Sequence, residues 1–141
     1  MRLADERTGI EVVAREECLE LLADEVVGRI GFVVAGRAEV QPVNYVLDGE
    51  AVVFRTAAGS KLDAATRGPV VFEVDRIDRV TRSGWSVIVH GLAREVTSYD
   101  RVELRERVAA LPVDPWAPGE RRHLVRVVPA SITGRRVGRS S

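Results

Sequence analysis

Hydrophobic residues return along this chain in two rhythms. Over residues 15–25 they recur at helical spacing: Cys18, Leu21 and Leu22 share one face, while Glu16, Glu17, Glu20 and Asp24 lie elsewhere. That pattern predicts a short helix with a solvated acidic side. From residue 28 to 34 it becomes a continuous run rich in Ile, Val and Phe, the mark of a buried strand. Gly36-Arg37 turns the chain into a second strand over 38–47. Pro42 lies within it, and because proline donates no ladder hydrogen bond, the strand must be at an edge or bulged there. Asp48-Gly49, a pair tolerant of positive φ, marks a hairpin into a third strand over 51–56.

Ser60 opens a short helix, with Ser60-x-x-Asp63 as a capping box in which Asp replaces Glu, and Gly68-Pro69 ends it. A fourth strand follows over 70–74, then an Arg- and Asp-rich loop as far as Ser83-Gly84. The fifth strand is long, 85–96, and Gly91 within it predicts a bulge or bend. Ser98 is placed to cap a helix over 99–111, supported by a Glu103–Arg107 pair. Pro112, Pro115 and Pro118 make a loop, and final strands over 124–128 and 131–137 are split near Pro129. Six or seven strands joined mostly by tight turns, with three short helices, imply an antiparallel meander that removes its edges by closing into a barrel.

Composition narrows the classes. The chain has 141 residues, 45% hydrophobic and 30% charged, with a net charge of zero, which excludes disorder as the overall state and fits one domain, 1–141. The termini, 1–10 and 138–141, are expected to be flexible. Apolar runs are short and broken, so no membrane helix is expected, and the first seven residues lack the apolar core of a secretory signal. A single cysteine allows no internal disulfide and fits a cytoplasmic setting. One Cys and two His do not furnish a closed zinc site, so no metal is expected.

The zero net charge hides an asymmetry. Every acid lies in residues 1–120, whereas 121–141 carry six Arg and no acid. Alternating apolar residues mark that basic segment as mainly strand, suited to pairing with the acidic body or to a small anion. No nucleic-acid motif accompanies it, so no nucleic-acid partner is expected. The only lysine, Lys61, falls in Phe54-Arg55-Thr56-Ala57-Ala58-Gly59-Ser60-Lys61-Leu62, where a strand ends, a glycine turn follows and a helix begins. Two hydroxyls, two cations and free amides within seven residues can cradle a phosphomonoester; the same segment is equally an ordinary capped helix with solvated basic residues. No triad or carboxylate pair stands out, and catalytic residues are not assignable from the pattern.

This segment resembles the phosphate-binding segment of the pyridoxamine 5'-phosphate oxidase-like proteins, the FMN-binding split β-barrel family. Four further stretches resemble the family in the same order: residues 27–32, 41–45, 84–91, and Asp114-Pro115-Trp116 followed by 132–136. The resemblance implies a mainly β chain with short helices, folded as an antiparallel, Greek-key-like six-stranded split barrel, and a homodimer with FMN at its interface. It implies that Arg55, Thr56, Ser60 and Lys61 hold the phosphate. Pro42, Val43 and Asn44 would line the flavin ring, Trp85 and Ser86 would come from the other subunit, and Trp116 would cover the site. The implied activity is hydride or electron transfer through flavin N5 to or from a small organic substrate. The alternatives are a deazaflavin coenzyme-dependent reductase of the same fold, or a non-catalytic flavin- or haem-binding protein. The chain lacks the C-terminal Arg-and-His substrate motif of true pyridoxamine phosphate oxidases, which points away from vitamin B6 oxidation.

Overall fold

The chain runs through β1 (Leu3–Asp5), β2 (Ile10–Val13), α1 (Arg15–Ala23), β3 (Val27–Val34), β4 (Arg37–Asn44), β5 (Val46–Asp48) and β6 (Ala51–Thr56). It continues through α2 (Lys61–Ala64), β7 (Pro69–Asp78), β8 (Ser83–Glu95), α3 (Val102–Ala109) and β9 (His123–Val137). This computed structural model describes residues 3–5, 9–64, 68–121 and 123–138, without the side chains of residues 3–5, 61 and 64. Every described strand pairing is antiparallel, in the order β1-β2-β9-β8-β7-β3-β4, with β6 on β9 and β5 on β6. The result is mainly β: a curled half-barrel sheet with short helices, as the sequence predicts.

The split in the sheet originates on β9. One half of this strand pairs with β6, from Val52↔Val127 to Thr56↔His123; the other half pairs with β2, from Ile10↔Val137 to Val13↔Gly134. Between them the β8–β9 register slips: His90 faces Ser131, Gly91 faces Pro129, and Ala130 is the extra residue. A Cβ on Gly91 would stand 2.3 Å from the carbonyl oxygen of Val128, so the bulge needs glycine there. Pro129 therefore does not divide the last strand in two, as its sequence implies. The bulge absorbs it and β9 continues.

Alternation along the strands fills the curl with one core. Ile30, Val52, Phe54, Phe72, Val74, Val87, Val89, Val125 and Val127 are buried there, and α1 adds Cys18 and Leu22. Each such side chain contributes roughly 1.5–3 kcal/mol of hydrophobic stabilisation. Tyr45 belongs to this core: its ring meets Phe72 edge-on, with centroids 4.9 Å apart, and its hydroxyl donates to the Leu22 carbonyl. On the opposite face of β6, Val53 packs with Val108 of α3 and with Val113.

The structure corrects several local expectations. The strand predicted over 38–47 breaks at Tyr45, where the side chain turns into the core. β3 is buried on one face only, with Val33 64% exposed, because a single sheet layer covers only its inner side. β7 runs on through the predicted loop to Asp78, and its outer end is exposed hairpin that needs no apolar pattern. Asp78 Oδ1 accepts the amides of Val80 and Thr81 at 2.8 and 3.2 Å and closes that hairpin. α3 starts at Val102, because Asp100 folds the residues before it into a turn by accepting the Thr97 amide at 2.8 Å; Ser98 caps nothing. Residues 3–5 form β1, which pairs with the start of β2 at Ile10. No helix among the described residues is long and apolar enough to cross a membrane.

Candidate functional site

β6 carries the sequence-predicted cradle to one end of the barrel. The polar turn begins at Thr56, which is buried, and reverses at Gly59, whose φ of +75° favours glycine. Ser60 Oγ accepts the Asp63 amide at 3.0 Å and donates to the Ala57 carbonyl at 2.9 Å. Asp63 Oδ2 accepts the Gly59 amide at 2.9 Å, so the predicted capping box closes, with Gly59 as the return donor. Thr56 Oγ1 lies 2.9 Å from Ser60 Oγ. The two hydroxyls brace the turn from within. Lys61 is the first residue of α2, and its side chain lies outside the described residues.

Arg55 goes elsewhere. Neighbouring residues of a strand point to opposite faces, so Thr56 shares the side of Val52 and Phe54, while Arg55 shares that of Val53. There Arg55 lines a cavity of about 50 Å³ with residues 41–44 of β4, Pro115, Ala117 and Arg121. β4 is a free edge, which accommodates Pro42. Asn44 ties the 111–121 loop to that edge: its Oδ1 accepts the Trp116 amide at 2.9 Å, and its amide nitrogen donates to the Val26 carbonyl at 3.3 Å. Trp116 is 72% exposed. Arg121 Nε is buried with no hydrogen-bond partner among the described residues. A buried guanidinium nitrogen left without a partner, beside a second arginine, can receive an anion.

One chain thus joins Pro42, Val43, Asn44, Arg55 and the backbone of Trp116 in one place, and Thr56 with Ser60 in another. Trp85 and Ser86 belong to neither group. They line a separate cavity of about 170 Å³ with Arg135, Arg136 and Ile10. Arg55 pairs with Leu124 at one end of β9 and Trp85 with Arg136 at the other. On the order of 40 Å of extended chain separates them. Arg121 is the residue that sequence reasoning passed over, since nothing in Arg121-Arg122 tells which guanidinium a loop will bury.

The remaining singled-out residues settle into structural places. Cys18 is buried, and burial pushes its thiol up. His90 is exposed on β8. Glu73 and Asp75 share Arg29 on the outside of the barrel, at 3.2 and 3.3 Å. Burial and the neighbouring Asp75 push Glu73 up to about 7. In the basic C-terminal segment, Arg126 and Arg136 pair with Asp48 and Glu17 of the acidic body.

The family model of pyridoxamine 5'-phosphate oxidase matches residues 14–136. The chain belongs to this family. The uncharacterized protein Rv0080 of Mycobacterium tuberculosis is 33% identical over 144 residues, covering 96% of this chain and 92% of its own. The solved FAD binding protein from Mycobacterium smegmatis is 36% identical, with a TM-score of 0.68 over 90% of this chain and 97% of its own. The fold extends to a FAD-binding protein from Mesorhizobium loti at 21% identity and a TM-score of 0.71, covering 90% of this chain and 96% of that one. The pyridoxamine 5'-phosphate oxidase fold of this chain is therefore one shared with flavin-binding proteins.

Proposed function

We propose that this protein binds a flavin nucleotide, with FMN as the first candidate, and transfers electrons between a reduced nicotinamide and a small organic acceptor. The observation that carries the reading is the buried, unpartnered Nε of Arg121 beside Arg55, against the residues of β4 expected to meet a flavin ring. The donor set fits the group: guanidinium charge for a phosphate, and apolar and amide surface at Pro42, Val43 and Asn44 for a ring. The 36% identical relative is an FAD binding protein, and FAD contains the whole of FMN, so the same residues serve either flavin.

A cavity of about 50 Å³ is too small to enclose a flavin, since pockets that bury small ligands span about 300–1,000 Å³. In this reading each chain supplies half a site and a second copy the rest. Arg55, Lys61 and Arg121 hold the phosphate end, and the hydroxyls of Thr56 and Ser60 keep the turn in shape. Trp85 and Ser86 of the second copy close the ring side, and Trp116 covers it. A bound flavin supplies hydride or electron transfer at N5, and the protein supplies position, exclusion of water and tuning.

The test is titration of purified protein with FMN and FAD, followed by flavin fluorescence, in parallel with sedimentation. Quenching at micromolar concentrations by a dimeric protein supports the reading; unchanged fluorescence with both flavins overturns it. Oxidation of reduced nicotinamide with a panel of quinones and nitroaromatics then separates an enzyme from a flavin carrier.

A further inference from the structure

Behind the turn, on the core side of β6, three side chains outside the proposed flavin site converge from three separate elements. Asp63 comes from α2, Glu95 is the last residue of β8, and His123 is the first of β9. His123 Nδ1 lies 3.1 Å from Asp63 Oδ1 and 3.1 Å from Glu95 Oε1, and one ligand atom of each of the three lies within 4.8 Å of the others. Their side chains are 30%, 19% and 30% exposed for His123, Asp63 and Glu95, a half-buried niche open to exchange with solvent.

Two carboxylates here face one ring nitrogen. A cation between them would serve all three. The two imidazole–carboxylate distances suit one: ligands about 2.0 Å from a tetrahedral zinc stand roughly 3.3 Å from one another. The ligand set, one imidazole and two carboxylates, neutralises a divalent ion. Asp63 is already oriented, because its other oxygen accepts the Gly59 amide, a support typical of ligating carboxylates. His123 is fixed by its backbone pairing opposite Thr56.

We propose that Asp63, Glu95 and His123 form a divalent transition-metal site of the zinc class, with water in the fourth position. A metal there ties the turn that carries Ser60 to the ends of β8 and β9. The sequence argument against a metal weighed only Cys and His and left out carboxylates brought together by the fold. The site stands independently of the flavin reading.

The experiment uses untagged, flavin-free protein stripped with chelator, equilibrated with zinc and desalted. The expected result is about one zinc retained per wild-type chain and a zinc-dependent rise in melting temperature. Glu95→Gln and His123→Ala are each expected to bind zinc at least tenfold more weakly, while melting near the metal-free wild type. No retained zinc in the wild type, or equal retention in both variants, overturns the proposal. Cobalt substitution in the wild type is an independent readout that does not depend on the variants folding. Intense visible bands of a tetrahedral complex support the site, and the faint spectrum of aqueous cobalt refutes it.

Discussion

Two pairs of arginines in this molecule have opposite fates. Arg107 of α3 and Arg126 of β9 both close on Asp48, which is 7% exposed at the end of β5. Arg107 grips it with two bonds, at 2.7 and 3.0 Å, and Arg126 adds a third at 2.9 Å. Arg55 and Arg121 also converge from a strand and a loop, but among the described residues neither has a carboxylate partner, and Arg121 Nε is buried without any partner. Folding alone accounts for the first pair, since the carboxylate joins α3 to the hairpin and to β9. It does not account for the second. Charge answered within the chain builds the fold; charge left open beside a cavity is available to a ligand.

The largest test of this contrast is Asp48→Ala. It strands two guanidiniums and should cost about 3 kcal/mol in urea unfolding, at the low end for a broken buried pair because Arg107 is half exposed and screened. Flavin affinity of the folded variant should be unchanged. A stability loss too small to measure would dissolve the distinction from the structural side.

Arg55→Ala should do the reverse. Losing a charged hydrogen bond to phosphate costs roughly 1.5–3 kcal/mol of binding, about ten- to hundredfold in dissociation constant, with the urea midpoint held. A midpoint that drops while affinity stays would reassign Arg55 to the fold. Arg121→Gln should weaken flavin binding by about tenfold. Because it removes a buried unpartnered group, it should leave stability level or slightly raised. A clear stability loss would show that Arg121 is a structural residue.

The smallest effect is a slope with pH. The hydrogen bonds from Arg107, together with those from Arg126 and against the cost of burial, hold the Asp48 carboxyl below its ordinary 3.8. A lowered folded-state value means stability that is present above the unfolded value and lost as pH falls through the folded one. Urea midpoints should therefore fall from roughly pH 4 downward, less steeply in Asp48→Asn than in the wild type. Equal slopes would remove Asp48 from the account of acid sensitivity.

Local chemistry made much of the fold legible. β6 is bounded by an Asp-Gly turn and by Ala-Ala-Gly, and its ends fall where the pattern puts them. Gly91 announced the bulge. Legibility failed where solvent or tertiary contact replaced pattern. The outer hairpin of β7 is polar yet paired, and Pro129 is tolerated because Ala130 bulges beside it. Arg107 leaves Glu103 for Asp48, a partner 59 residues away. The candidate site divides the same way. Pro42 to Asn44 and Arg55 carry a local signature and meet in space. Arg121 and the Asp63–Glu95–His123 cluster are brought together only by tertiary folding of loop, helix and strand ends, which no local spacing encodes.

If the open arginines beside β4 recognise the phosphate of a flavin, removing that phosphate must weaken binding. The most direct measurement compares FMN with riboflavin, which has the same ring and no phosphate, by fluorescence titration of the wild-type protein. The account predicts that FMN binds roughly ten- to hundredfold more tightly. Equal affinities for the two, or binding of neither, would contradict it.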